Sequence, residues 1–152
     1  MVAEDKPAVM GIMKATPEFN ELDVRISEDV VDSYLLDPID SGYNNLVAEA
    51  KGKVLGFVSY GQTPLTRGTW DVYWIAVSPE EKEQGIGTAM LYAAEEAIRS
   101  AGGYLILIET SGTPEYENTR RFYEKRGYRE GCRIRDFYAP GDDQVTMEKR
   151  FR

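Results

Sequence analysis

Two glycines, Gly85 and Gly87, stand where a polar loop gives way to a helical pattern, and their spacing suggests chemistry. Glycine at the start of a helix lets the backbone approach a ligand without interference from a Cβ atom. The unpaired N–H groups and the positive end of the helix dipole attract phosphate at such a position. A helix that simply begins at glycines has the same sequence, so the spacing alone does not decide between the two interpretations.

A dinucleotide-binding loop is one alternative, with Glu109 at the end of the next strand as the acid for a ribose. Two features contradict it. Met90 replaces the third glycine of the G-x-G-x-x-G pattern, and seven residues separate Gly85 from Val77, the last residue of the preceding strand. A Walker loop is also excluded, because no Gly-Lys-Ser/Thr follows the glycines.

The composition limits which side chains could be catalytic, since the 152 residues include no histidine and a single cysteine. Serine and cysteine nucleophiles activated by histidine are therefore excluded, as is a histidine metal site. A general acid or base must be Asp, Glu, Tyr, Lys or the cysteine. We interpret Cys132 as a structural thiol in a strand, because free cysteine usually behaves as a small buried hydrophobe. A lone cysteine allows no internal disulfide, which favours a cytoplasmic location.

The charge and length indicate the class of protein and of partner. A formal net charge of −8 argues against nucleic acid or an anionic membrane as a partner and agrees with a cationic acceptor such as an amine. The length suits a single domain over residues 1–152. No apolar run is long enough to span a bilayer, and the first residues lack the features of a signal peptide. Monomer and homodimer both stay open.

The elements that position the glycines follow from hydrophobic periodicity. Val72–Val77 is predicted as a strand, and a helix from Gly85 to Gly103 follows the loop. Tyr104–Glu109 is a nearly continuous apolar run, which predicts a buried strand parallel to the first across a right-handed helical crossover. The predicted apolar face of the helix contains Ile86, Met90, Ala94, Ala97, Ile98 and Ala101, with Glu95, Glu96 and Arg99 opposite.

The rest of the chain predicts a mixed α/β fold with a largely antiparallel sheet. Ser27 is the predicted N-cap of a second helix that ends at Asp37-Pro38. Besides that helix, we predict a first helix over Pro7–Lys14, a hairpin of Leu46–Ala50 and Lys53–Tyr60, a helix from Asn118 to Gly127, and a closing hairpin of Tyr128–Tyr138 and Gln144–Phe151.

Two segments resemble the GNAT N-acetyltransferase family. Residues 82–87, KEQGIG, resemble the Gln/Arg-x-x-Gly-x-Gly/Ala loop that binds the acyl-CoA pyrophosphate, with Lys82 in place of Gln or Arg. Residues 118–128, NTRRFYEKRGY, resemble the N-x-x-A-x-x-F/L-Y-E-K-x-G-F/Y signature, with Arg121 where a small residue is usual. Because both segments occur in the family's order and spacing, they support each other.

The resemblance implies a six- to seven-stranded, mostly antiparallel sheet with about four helices and a splayed central strand pair. The family normally has a strand before its first helix, and we expect that strand to be missing or very short here. The match is closest to the ribosomal-protein and N-terminal acetyltransferase branch. Residues 136–143, DFYAPGDD, resemble the Y-Y-x-x-G-E-D hairpin that borders the acceptor site of that branch, although a surface turn would explain the Pro-Gly-Asp-Asp part equally well.

The resemblance implies an N-acetyltransferase that moves an acetyl group from acetyl-CoA to a primary amine, by direct attack in a ternary complex and without a metal. The acceptor stays open between a peptide α-amine, a lysine and a small amine. A non-catalytic acyl-CoA-binding module is the alternative. The expected CoA-binding residues are Ile75, Ala76 and Val77 for pantetheine and the thioester, Lys82, Glu83, Gln84, Gly85, Ile86, Gly87 and Thr88 for the pyrophosphate, and Asn118 and Tyr123 beside them.

The catalytic roles also follow from the resemblance. Tyr123 matches the tyrosine that protonates the departing thiolate, although it could be a core aromatic residue instead. Asn118 matches the asparagine beside pantetheine, and it could also be a helix N-cap. Glu109 is the favoured general base and Asp71 the second candidate, while either could be a solvated strand end. Two carboxylates close together would raise each other's pKa, which would bring the pKa of the base closer to that of the ammonium it must deprotonate.

Overall fold

A computed structural model describes all residues, 1–152, as one six-stranded sheet with helices on both faces. The strand order is β1-β2-β3-β4-β6-β5, and every neighbouring pair is antiparallel except β3 and β4. The predicted mixed fold is thereby confirmed, and residues 1–43 contain no strand, as expected. The elements are α1 (Lys6–Ala15), α2 (Glu21–Leu36), β1 (Asn44–Ala50), β2 (Lys53–Gln62), β3 (Thr69–Val77), α3 (Ile86–Ser100), β4 (Leu105–Ser111), α4 (Glu117–Glu124), β5 (Arg129–Ala139) and β6 (Asp142–Arg150).

The sheet separates two apolar cores. One lies under α3 and includes Leu91, Ile98 and Ile106, and the other lies under α1 and includes Met13 and Phe57. Because β2 and β3 have covered faces on both sides, these strands read as nearly continuous apolar runs. No helix in the structure is long and apolar enough to cross a membrane.

The buried face of α3 differs from the prediction. Leu91 and Glu95 are buried, whereas Ala97 and Ala101 are exposed. Glu95 can lie inside because Tyr128 Oη donates a hydrogen bond to its carboxylate at 2.9 Å, and Lys149 Nζ donates to both of its oxygens at 2.8 and 2.9 Å. Burial of a carboxylate that is paired in this way costs little free energy. Hydrophobic periodicity cannot predict the burial of such a charged residue.

The start of α2 also differs from the prediction. The helix begins at Glu21, and Asn20 is its N-cap, with the side chain of Asn20 accepting from the amides of Leu22 and Asp23. The Asp23 carboxylate in turn accepts from the backbone amide of Asn20 at 2.9 Å, which completes a capping box. Ser27, the predicted N-cap, lies inside the helix, where its hydroxyl donates to the Val24 carbonyl. Two capping residues of similar strength occur in one segment, and the earlier one starts the helix.

The central strands separate, as the resemblance predicts. β3 and β4 pair only at Thr69–Asp71 with Leu105–Leu107. Immediately after this pairing, Tyr60 of β2 opposes Val72 and Ser59 opposes Trp74, so Tyr73 is an extra residue in β3. A bulge of this kind bends and twists its strand. The backbone of β3 beyond Asp71 is therefore paired with β2 on one side and open toward β4 on the other.

The final hairpin projects from the sheet. Every residue of β5 is exposed, including Cys132, so the interpretation of Cys132 as a buried thiol is wrong. The cause is topological, because β5 is an edge strand that pairs only with β6. The turn is also shorter than predicted, since only Pro140 and Gly141 separate the two strands. Gly141 adopts a φ of +83°, which glycine tolerates.

Candidate active site

A cleft of about 1220 Å³ opens where β3 and β4 separate. It runs from the first turn of α3, past β3, to the residues around β4 and the start of α2. All but one of the residues predicted for the site line it. They are Asp71, Ile75, Ala76, Val77, Lys82, Glu83, Gly85, Ile86, Gly87, Thr88, Glu109, Asn118 and Tyr123. Gln84 is the exception, since it does not line the cleft and its side chain donates to Glu81 at 3.0 Å.

One end of the cleft is the first turn of α3. Gly85 is the N-cap with a φ of +80°, and no side chain caps the helix. The first intrahelical bond runs from the Ala89 amide to the Gly85 carbonyl, so the amides of residues 86–88 have no acceptor within the helix. Three free N–H groups at the positive end of a helix dipole form an anion site. In the preceding loop, Glu83 adopts an unusual φ of +68° for a residue with a side chain.

The middle of the cleft is the open edge of β3. Ile75, Ala76 and Val77 pair with Val58, Phe57 and Gly56 of β2, and no strand pairs with them on the other side. An open strand edge offers N–H and C=O groups to an extended ligand. This edge leads directly from the first turn of α3 to the carboxylates at the far end.

Tyr123, on α4, lines the same cleft. It is 4% exposed and packs edge-on against Phe122 and Tyr128, with ring centroids 5.2 and 5.6 Å away. Burial raises the pKa of Tyr123 well above its usual range, so the hydroxyl is neutral in the free protein. Asn118 also lines the cleft, as the second residue of α4. Tyr116 is the N-cap of that helix, so the interpretation of Asn118 as an N-cap is wrong.

The two predicted bases lie close to each other near the β3–β4 pairing. Asp71 pairs with Leu107 in the parallel register, and Glu109 follows two residues later on the same face of β4. Partial burial raises the pKa of Glu109, and the negative charge of Asp71 raises it further. Thr63 donates a hydrogen bond to Asp71 at 2.6 Å, and Gln144 donates to Glu109 at 3.1 Å. Asp71 therefore lies close enough to Glu109 to contribute to the raised pKa of Glu109.

The far end of the cleft contains further acidic groups, of which Glu18 and Asp23 were missed by sequence reasoning. Glu18, Asp23 and Asp142 line it together with Tyr116 and Tyr138. Burial raises the pKa of both tyrosines. Asp23 and Asp142 raise both further, with Glu18 contributing at Tyr116 and Glu109 at Tyr138. Only Asp142 lies in a segment with a motif, because the region around α2 contains none.

Arg126 is the other missed residue, at the opposite end of the cleft. It occupies a variable position of the α4 signature, so no motif identifies it. The only two cations that line the cleft, Lys82 and Arg126, both belong to this end. At α3 these two cations are balanced by Glu81 and Glu83, so the free amides of the helix start make that end suitable for an anion, whereas the end at β4 and α2 carries only carboxylates.

Comparisons with known proteins agree with this architecture. Residues 41–130 match the profile of an acetyltransferase (GNAT) domain. An aminoalkylphosphonate N-acetyltransferase of Salmonella typhimurium is 32% identical over 73% of this chain and 71% of its own length. An N-alpha-acetyltransferase of Sulfurisphaera tokodaii is 29% identical over 66% of this chain, and the match spans 65% of that protein.

Solved structures show the same fold. A GNAT-family protein from Desulfovibrio desulfuricans superposes with a TM-score of 0.95 at 34% identity, covering 98% of this chain and 94% of that one. The Escherichia coli ribosomal-protein-S18-alanine N-acetyltransferase superposes at 0.78 with 21% identity, covering 99% and 90%. An aminoglycoside 6'-N-acetyltransferase in complex with coenzyme A superposes at 0.76 with 18% identity, covering 97% and 91%. The chain belongs to the GNAT N-acetyltransferase family, whose members bind coenzyme A.

Proposed function

We propose that this protein transfers an acetyl group from acetyl-CoA to a primary amine by direct attack in a ternary complex. The polarity of the cleft is the observation that supports this most. Free amides at α3 and the cations Lys82 and Arg126 suit the phosphates of CoA, whereas Glu109 and Asp71 suit an amine. The open edge of β3 connects the two ends, so an extended pantetheine arm would carry the thioester from one to the other.

Each chemical step has a group in the cleft. Glu109 accepts the proton of the acceptor ammonium, and the neutral nitrogen attacks the thioester carbonyl carbon. A free backbone N–H of β3 donates to the oxyanion of the tetrahedral intermediate, a contribution typically worth about 10²–10³ in rate. When the C–S bond breaks, the Tyr123 hydroxyl donates its proton to the sulfur, and the second proton of the former ammonium leaves the nitrogen and restores the Tyr123 hydroxyl through water. A thiolate desolvated beside Tyr123 also has a raised pKa, which brings the acid and its acceptor closer together.

Direct attack is favoured over a covalent enzyme intermediate because the cleft offers no thiol. Cys132, the only cysteine, is exposed on β5 and does not line the cleft. With no histidine in the chain, a serine or threonine in the cleft lacks its usual activating base.

The test is release of free CoA thiol from acetyl-CoA in the presence of an amine panel. The panel contains peptides with a free α-amine, N-terminally blocked lysine peptides and small amines. We expect thiol release that depends on one class of amine. If acetyl-CoA binds but no amine in the panel causes release above the hydrolysis rate, the non-catalytic acyl-CoA-binding module becomes the better description.

We further propose that the acceptor has no anionic group near its amine. Five carboxylates, Glu18, Asp23, Asp71, Glu109 and Asp142, line the acceptor end, and no lysine or arginine lines it there. Like charges placed together cost several kcal/mol. The relative from Salmonella is named for aminoalkylphosphonates, which combine an amine with a phosphonate. Such an acceptor would meet repulsion in this cleft.

A matched pair of acceptors tests this point, namely 3-aminopropylphosphonate and propylamine. They share an alkylamine and differ in the phosphonate. We expect kcat/KM to be at least about tenfold higher for propylamine, since each 1.4 kcal/mol of repulsion is a factor of ten. A preference for the phosphonate would contradict the proposed electrostatic selection and leave the acetyltransferase assignment unaffected.

A further inference from the structure

Arg126 is the only arginine that lines the cleft. It is half-buried and forms no salt bridge, unlike the exposed Arg121, Arg129 and Arg133. A partly buried charge without a counter-ion costs free energy in the free protein. An anionic ligand that binds beside it would relieve this cost.

The Arg126 side chain is nevertheless held firmly. Nε donates to the Thr88 hydroxyl at 2.9 Å, Nη2 donates to the same oxygen, and Nη1 donates to the Phe122 carbonyl at 2.6 Å. The guanidinium also lies 3.6 Å from the centroid of the Phe122 ring. Three of its five N–H groups are thereby used, which leaves two for a ligand. Its rotamer is fixed before any ligand arrives, so little side-chain entropy is lost on binding.

The position of the guanidinium indicates which ligand group it would meet. Thr88 is the third residue of α3, and its amide is one of the three free N–H groups of the first turn. The Phe122 ring also lies beside the first turn of α3, because a Cβ atom added at Gly87 would be 3.6 Å from that ring. Arg126 therefore projects its free donors beside the helix N-terminus and not beside β4. Two phosphate oxygens of a diphosphate suit the forked geometry of arginine.

We propose that Arg126 binds the diphosphate of acetyl-CoA and sets the affinity of the protein for it. This inference rests on the proposed acetyl-CoA site. Thr88 has a second role in it, since its hydroxyl orients the guanidinium while its amide faces the anion. Arg126 is neither an acid nor a base in the reaction, so its loss should raise the Kd for CoA and the KM for acetyl-CoA and leave kcat nearly unchanged.

The test is calorimetric titration of CoA into the wild type, Arg126→Met and Lys125→Met. Lys125 is the adjacent residue, exposed and outside the cleft lining, so its loss changes the net charge equally. We expect Kd to rise about 10- to 100-fold in Arg126→Met and less than about twofold in Lys125→Met. Equal affinities of the two variants would overturn the inference. A wild type that does not bind CoA would overturn the proposed function itself.

Two further arms keep the result interpretable. Arg126→Lys retains the charge without the fork, so its Kd should fall between those of the wild type and Arg126→Met even if the latter is less stable. Titration with dephospho-CoA, which keeps the diphosphate and lacks the 3'-phosphate, should show the same fold loss for Arg126→Met. If that loss disappears, the guanidinium contacts the 3'-phosphate and the diphosphate assignment is wrong.

Discussion

Replacing Tyr123 with phenylalanine should separate catalysis from packing. Tyr123→Phe removes the hydroxyl and keeps the ring that packs against Phe122 and Tyr128. Burial is the only cause of the raised pKa of Tyr123, with no hydrogen-bond partner contributing. Because the Tyr123 hydroxyl forms no hydrogen bond within the protein and the ring is kept, the variant should be about as stable as the wild type.

The expected loss is in turnover. Loss of a general acid typically lowers the rate about 10²–10⁴-fold, which corresponds to roughly 3–5 kcal/mol in the activation barrier. The Kd for acetyl-CoA should change little, since the ring remains. The assay is thiol release at saturating acetyl-CoA and acceptor, combined with a thermal melt of the same samples.

Tyr128→Phe is the matched control, because it removes the same atom from a neighbouring ring. Here the hydroxyl donates to the buried Glu95 carboxylate at 2.9 Å. Loss of a hydrogen bond to a charged group costs about 1.5–3 kcal/mol, or roughly 3–12 °C in Tm for a domain of this size. We expect Tyr128→Phe to lose stability and keep kcat, the reverse of Tyr123→Phe. If Tyr123→Phe keeps wild-type kcat, Tyr123 is a packing residue and the assignment as acid is refuted.

Other substitutions test the remaining groups. Gly87→Ala should keep the fold, since its Cβ would lie 3.5 Å from Val77, and should weaken CoA binding roughly 5- to 150-fold, by crowding of about 1–3 kcal/mol; unchanged affinity by titration would contradict close approach of the ligand. Glu109→Gln should lower kcat most at neutral pH, with recovery as pH rises and the amine deprotonates itself, and Asp71→Asn should show a smaller drop in the pH–rate profile. The opposite ranking would make Asp71 the base. Folding raises the pKa of Glu109, so protonation of this residue favours the folded state. Its contribution to the free energy of unfolding is therefore full below the unfolded-state pKa and is lost as the pH rises. Glu109→Gln should therefore melt above the wild type at neutral pH, and the difference should close below about pH 4.

The sequence predicts those features that depend on local pattern. The strand before Gly85, the helix after it and the parallel β4 follow from periodicity and from the handedness of crossovers. The loop before α3 and the α4 signature are contiguous motifs, so the resemblance located 13 of the 32 residues that line the cleft. Gln84 was predicted to line the cleft and does not. A loop that binds a ligand through its backbone places no requirement on its side chains, and the Gln84 side chain donates to Glu81 instead.

Features that depend on distant contacts could not be predicted in this way. Glu95 is buried because Tyr128 and Lys149 reach it from 33 and 54 residues away. The exposure of Cys132 depends on β5 being an edge strand, which follows from the order of the whole sheet. Glu18 and Asp23 join the cleft only because the fold brings the start of α2 and the loop before it to the same cleft as β3 and β4. A single position in the chain contains no information about such neighbours.

The separation of the acidic end from the free amides of α3 explains how a protein with a net charge of −8 could bind a polyanionic cosubstrate. Asp71 precedes Val77 by six residues of β3, and the loop that leads to α3 follows Val77. At about 3.3 Å per strand residue the two ends are roughly 20 Å apart. That distance exceeds two Debye lengths of about 8 Å at physiological ionic strength, although screening is weaker inside a cleft. Each end therefore attracts its own substrate with little cancellation by the other, and the bulge at Tyr73, where β3 leaves β4, creates the open strand edge that joins them.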